Sequence, residues 1–152
     1  MTRRADERVA LLHQVQLFSK CSKTELKRVA SLATPVDVEE EEVLTREGQP
    51  GSELFVIGSG SARVTLQGAH VATLLPGDAF GEMALLDGGP RAATVTANTP
   101  MSVYVLGPRE FSTLLQDVPQ IGRSILKALA HRLREAEKQR YGSVTGGTSP
   151  TS

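Results

Sequence analysis

From Pro35 to Leu106 the apolar residues leave helical spacing and alternate, in short runs broken by Gly, Pro or Asp. Pro35-Val36-Asp37-Val38-Glu39 alternates as a half-buried strand does, and the acids Glu39 to Glu42 then read as a solvated strand edge or turn. Leu54 to Ile57 is a continuous apolar run ending in Gly58-Ser59-Gly60. Ala62 to Leu66 alternates again, Gln67-Gly68-Ala69-His70 reads as a hairpin turn, and Val71 to Leu75 continues to a turn at Pro76-Gly77-Asp78. Ala93 to Ala97 and Ser102 to Leu106 are rich in β-branched residues. About seven or eight short strands in series suggest an antiparallel barrel or sandwich.

Both flanks are helical. Val9, Leu12 and Val15 or Gln16 share one face, and Phe18 follows where the chain turns inward. Ser22-Lys23-Thr24-Glu25 has the form of a capping box, and Leu26, Val29 and Ala30 give the helix it opens an apolar face. Pro108 suits the first position of a helix carrying Phe111, Leu114 and Leu115. Pro119 starts another, with Ile121, Ile125, Leu126, Leu129, Leu133 and Ala136 as its apolar positions. It reaches about Tyr141, roughly 34 Å at 1.5 Å per residue. The stripe Leu129, Leu133, Ala136 is expected to pack on the barrel; the alternative is a homodimer seam. The segment 142–152, rich in Gly, Ser and Thr, is expected to be a disordered tail after a domain spanning 1–141.

Charge is segregated. Residues 1–34 carry seven basic and three acidic side chains, residues 35–106 three and ten, and residues 107–141 seven and four. The sum over the chain is zero, which argues against a protein that coats nucleic acid, and no helix-turn-helix is visible, so direct DNA binding is not expected. The single cysteine, Cys21, excludes an intramolecular disulfide and a Cys-rich zinc site, and fits a reducing compartment. No strand holds a His-x-His pair among His13, His70 and His131, so no metal is expected. No run spans a membrane and no secretory signal opens the chain, so the expected compartment is the cytoplasm. Twelve Arg against five Lys suggests a GC-rich bacterial source.

The stretch Phe80-Gly81-Glu82-Met83-Ala84-Leu85-Leu86-Asp87-Gly88-Gly89-Pro90-Arg91 interrupts the strands. Glu82 to Leu86 are good helix formers, and Gly88-Gly89-Pro90 ends the turn they can make. The N-terminus of such a helix attracts an anion. Gly81 admits close approach of a ligand, and Arg91 can present two parallel hydrogen bonds to a phosphate. Glu82 would repel that phosphate and so should accept hydroxyls. A sugar with a free 2′-hydroxyl beside a phosphate satisfies both charges.

Phe80 to Ala97 resembles the phosphate-binding cassette of the cyclic nucleotide-binding domain family, which includes kinase regulatory subunits, the catabolite activator and cyclic-nucleotide-gated channels. The similarity extends over about residues 8–140. It takes in Leu17-Phe18, Arg46-Glu47-Gly48, Gly58-Ser59-Gly60 and Pro76-Gly77-Asp78. Gly81-Glu82, followed nine residues on by the Arg of Arg91-Ala92-Ala93-Thr94-Val95, is its most specific part.

The resemblance implies an α+β fold: an antiparallel β-roll or jelly-roll barrel of about eight strands, N-terminal helices, a short phosphate-binding helix and a long C-terminal helix. It implies that Gly81 and Glu82 bind the ribose and that Arg91 pairs with the cyclic phosphate. Backbone N–H groups of Ala84 and Ala92 join Arg91, and Met83 and Ala93 complete the ligand-binding set. Leu85, Leu86 and Val95 are expected to pack behind the cassette. Members that prefer cyclic GMP often carry Thr just after the Arg; Ala92 stands there, which favours cyclic AMP. Arg132 is the first candidate to cap the base, ahead of Leu133 and Tyr141.

Read singly, Glu82 could merely favour the helix dipole, Arg91 could be a solvated loop residue, and Arg132 could belong to a solvated face with Arg134, Glu135 and Lys138. No catalytic constellation is visible, so the chain is not expected to be an enzyme. The expected function is that of a stand-alone sensor, in which the last helix closes as a lid and regulates a protein effector in trans. The alternative is a protein-interaction module with a degenerate site.

Overall fold

The computed structural model describes the backbone of residues 2–148 and the side chains of residues 6–142. Helices α1 (Thr2–Gln14) and α2 (Lys23–Leu32) come first, joined through a 3-10 turn at Gln16–Phe18. The strands are β1 (Thr34–Val38), β2 (Val43–Thr45), β3 (Leu54–Ser59), β4 (Ala62–Leu66), β5 (Ala69–Leu74), β6 (Ala79–Phe80), β7 (Thr94–Ala97) and β8 (Met101–Leu106). Helix α3 (Glu82–Asp87) lies between β6 and β7, and α4 (Pro108–Asp117) and α5 (Pro119–Thr148) close the chain. The strands form two four-stranded antiparallel sheets, in the orders β1-β8-β3-β6 and β2-β7-β4-β5. This is the eight-stranded antiparallel β-roll with flanking helices that the sequence implies.

Strand β3 shows why Leu54 to Ile57 is apolar without a break. Successive side chains point to opposite faces. Leu54 and Val56 join a core formed with α1, α2, α4 and α5, in which Leu12, Phe18, Val29, Leu114 and Ile121 are also buried. Ile57 and Phe55 face the other way, into a second core between the sheets with Val95, Ala97, Met101 and Val103. Both faces are covered, so alternation has no polar side to show. Strand β8 repeats the pattern, with Val103 on the inner core and Leu106 on the helical one.

The capping box is present in full: the Ser22 N–H donates to Glu25 Oε1 at 2.7 Å, and the Glu25 N–H donates to Ser22 Oγ at 3.1 Å. Glu25 is buried and also accepts from Ser124 Oγ at 3.1 Å, which ties α2 to α5. The acids 39–42 form an exposed turn in which Glu41 has φ 70° and pairs with Arg63 at 2.6 Å. The β4–β5 hairpin turns at Gln67 and Gly68, both with positive φ, a conformation that matches the strands' twist.

Several burials differ from expectation. Strand β1 is an edge strand paired only to β8, and of its side chains only Val38 is buried. On α5 the face that packs is Ile121, Ile125, Ala128 and, half-buried, Leu129; Leu126 and Leu133 are each 66% exposed. A single helix face of about 100° cannot hold all six apolar positions against one surface. The boundary drawn at Tyr141 lies inside α5, because each added residue of an existing helix gains a hydrogen bond. Residues 149–152 of the expected tail lie outside the described residues.

Cys21 is buried between the 3-10 turn and α2, and burial, with the Glu25 charge adding to it, pushes its thiol up to about 12. The thiolate is the reactive form. Ellman's reagent should therefore label the folded chain at least ~100-fold more slowly than the urea-unfolded chain at neutral pH. Equal rates would show Cys21 to be accessible.

Candidate functional site

Pairing of β3 with β6 delivers the site. Phe55 lies opposite Phe80, and their rings stack with centroids 4.9 Å apart. The chain then turns at Gly81, which has φ 89° and serves as the N-cap of α3 without any side-chain cap. Only glycine fits there: a Cβ would stand 2.4 Å from the Glu53 carbonyl oxygen, and the left-handed backbone disfavours any other residue. The N-terminal N–H groups of α3 are thus left for an external acceptor. Helix α3 ends at Gly88, and a bridge between Pro90 and Pro50 leads the chain back into β7.

Arg91 is 8% exposed, so it is no solvated loop residue. Its backbone N–H donates to the Gln49 carbonyl at 2.9 Å, and its carbonyl accepts from Gly48 N–H at 2.8 Å. Its Nη1 donates to the Glu53 carbonyl at 3.0 Å and its Nη2 to Glu53 Oε1 at 3.2 Å. The guanidinium carbon also lies 5.6 Å from the centre of the Phe55 ring, a cation–π contact. Gly51 makes room for this packing, since a Cβ there would meet Arg91 Nε at 2.3 Å.

Arg91 and the Gly81 turn border a cavity of about 210 Å³. Gly81, Glu82, Met83, Ala84, Arg91, Ala92 and Ala93, all singled out from the sequence, line it. Its apolar wall is Val64, Leu74, Phe80 and Val95. Arg132 does not line the cavity, but α5 brings its Nη1 to 3.9 Å from Glu82 Oε2. That is a charge contact, too long for a hydrogen bond. Burial raises the Glu82 carboxyl from its ordinary value, and the Arg132 charge partly offsets this.

A family model described as the cyclic nucleotide-binding domain matches residues 35–118, more than half of the chain. The chain belongs to the cyclic nucleotide-binding domain family. Among its relatives, a cAMP-dependent protein kinase regulatory subunit of Yarrowia lipolytica is 40% identical over 70% of this chain and 29% of its own length. The chain therefore spans under a third of that relative. The N-terminal domain of a transcriptional regulator from Streptomyces coelicolor A3(2) superposes with a TM-score of 0.76 at 28% identity, over 83% of this chain and 94% of that one. The regulatory domain of Toxoplasma gondii PKA, crystallised with cAMP, superposes with a TM-score of 0.73 at 27% identity, over 98% and 55%.

Within this cyclic nucleotide-binding domain, Leu85 is buried in the helical core and Val95 in the core between the sheets, whereas Leu86 is exposed. With α3 only six residues long, one turn faces the barrel and Leu86 falls on the other side. Glu53 and Thr45 were not legible in the sequence. Glu53 lies 38 residues from Arg91, and the buried Thr45 fixes the cavity floor by donating from Oγ1 to the Ala93 carbonyl at 3.1 Å. An acid beside the Gly51 turn was the only signal for Glu53. Among the described residues no group of three or more ligating side chains could hold a metal ion, and no helix is long and apolar enough to cross a membrane.

The raised Glu82 carboxyl has a consequence for stability. The native state holds the Glu82 proton to higher pH than the unfolded chain does, so ionisation costs stability as pH rises through the native titration. Glu82→Gln should melt higher than wild type at neutral pH without added ligand, and the difference should close at acid pH. A lower melting temperature at neutral pH would reject this account.

Proposed function

We propose that this chain is a cyclic AMP sensor: Arg91 and the N-terminus of α3 hold the cyclic phosphate, Glu82 accepts the ribose 2′-hydroxyl, and α5 carries the occupancy of the site to an effector protein. The observation that carries this reading is a buried Arg91 and a half-buried Glu82 on one small cavity, with the uncapped start of α3 between them. The cation and helix terminus suit an anion, and the carboxylate excludes a second anion while accepting a hydroxyl. A cavity of 210 Å³ is below the range of about 300–1,000 Å³ that encloses larger ligands, so it suits phosphate and ribose with the base outside, toward α5. Arg132 stands there, beside Glu82, and is the residue we assign to the base. The likeness to relatives whose names specify cAMP supports the ligand, and Ala92 supports cyclic AMP over cyclic GMP.

Ligand-dependent movement of α5 would be a shift between two positions, limited by the nucleotide's differential affinity for them. Leu126 and Leu133 stand exposed seven residues apart on α5 and offer a docking stripe for the effector or for a second copy of the chain.

Isothermal titration with cyclic AMP and then cyclic GMP tests the reading, with saturation near one nucleotide per chain expected. Arg91→Ala should weaken cyclic AMP binding by about 2–3 kcal/mol, roughly 30- to 150-fold. Unchanged affinity in a folded variant would reject the role of Arg91. No heat and no thermal shift with either nucleotide would instead favour an interaction module with a degenerate site.

Selectivity has its own test. Ala92→Thr places a hydroxyl beside the cavity and should move the affinity ratio toward cyclic GMP. A constant ratio would sink the argument from Ala92.

A further inference from the structure

We infer that Glu53 sets the affinity of the nucleotide site by holding a negative charge against Arg91, so that an incoming phosphate must share or displace this counter-ion. The inference rests on the nucleotide reading above. The contact is built into the fold. Gly51 and Gly81 are the positions where a Cβ would strike Arg91 or the Glu53 backbone, so the two loops close on each other with the guanidinium between them. The Arg91 side chain is 7% exposed and that of Glu53 46%. Arg91 is fixed; Glu53 reaches it from the solvent side and can swing away at little cost.

Orientation alone does not require the carboxylate. The Glu53 carbonyl already accepts from Nη1 at 3.0 Å, the Arg91 backbone is bonded at both ends to the 48–49 segment, and Phe55 lies under the guanidinium. What the carboxylate adds at Nη2 is charge. That charge acts in a segment, residues 35–106, that holds ten acids against three bases. Of the other two bases, Arg46 is exposed and does not line the cavity, and Arg63 is committed to Glu41. A phosphate thus meets one buried cation already neutralised in part. Glu82 also faces an opposite charge, that of Arg132, at 3.9 Å. Both charges of the site therefore have a counter-charge supplied by the chain itself, and a ligand gains only the excess over these contacts.

The test is titration of the full chain with cyclic AMP, comparing wild type, Glu53→Gln and Glu53→Ala, each checked for folding by thermal melting. Glu53→Gln keeps an oxygen acceptor for Nη2 and removes the charge. We expect it to bind about three- to tenfold more tightly than wild type, with the gain shrinking as salt rises to about 0.5 M. Affinity in Glu53→Gln equal to or weaker than wild type overturns the inference and leaves the nucleotide reading standing. The pattern of an unchanged Gln variant with a weaker Ala variant would assign Glu53 to positioning alone. Binding by Glu53→Gln but not by wild type supports both the inference and the reading. Absence of binding in wild type and in both variants removes the nucleotide reading, and this inference with it.

Discussion

The structure depends on one strand being buried on both faces. Strand β3 sends Leu54 and Val56 into the helical core and Phe55 and Ile57 into the barrel. It thereby ties two hydrophobic cores together. It also fixes the site, because Phe55 both stacks on Phe80, the residue before the Gly81 turn, and underlies Arg91. A cavity-forming change at Leu54 or Ile57 would be felt at Arg91 as well as in the packing, since the same strand carries all three contacts.

Arg91 is the counterpart of that strand in polar terms. A guanidinium withdrawn from water is tolerated only when its donors are met. Here the Glu53 carbonyl meets Nη1 and its carboxylate meets Nη2, Phe55 lies under the guanidinium, and Gly48 and Gln49 hold the Arg91 backbone. The 46–53 segment is held in turn by Glu47, whose carboxylate accepts from the Gln67 N–H at 3.1 Å and whose own N–H donates to Thr94 Oγ1 at 3.1 Å. Arg91 thus sits in a cradle anchored to the β4–β5 hairpin and to β7. A buried cation so supported is stable enough to wait for an anion, and costly enough that a fold without use for it would gain from an apolar residue.

What was legible in the sequence is what is local. The capping box of Ser22 and Glu25 spans three residues and forms as written. The Gly81-to-Arg91 stretch is contiguous, so its turn, short helix and returning Arg could be read together with the family resemblance. The period of the strands pointed to an antiparallel barrel or sandwich, and the family resemblance narrowed it to the two-sheet roll. What could not be read depends on which neighbour covers a face. Val36, Leu86, Leu126 and Leu133 are apolar, yet each is exposed because the adjoining element packs on the other side. Glu53 is the sharper case: nothing within its own strand or turn indicates that its carboxylate meets a guanidinium 38 residues away.

Helix α5 is anchored by one end. Ile121, Ile125 and Ala128 are buried, Leu129 is half-buried, and from Leu133 to Gly142 every side chain is exposed. Arg132 stands at the change, and its contact with Glu82 is the last ion pair between α5 and the barrel among the described residues. The helix beyond it, to Thr148, is about 24 Å long at 1.5 Å per residue. Glu82 therefore meets α5 where its buried face ends. In this geometry the carboxylate that faces the cavity is also the group that meets the helix, so cavity and helix are joined through one side chain.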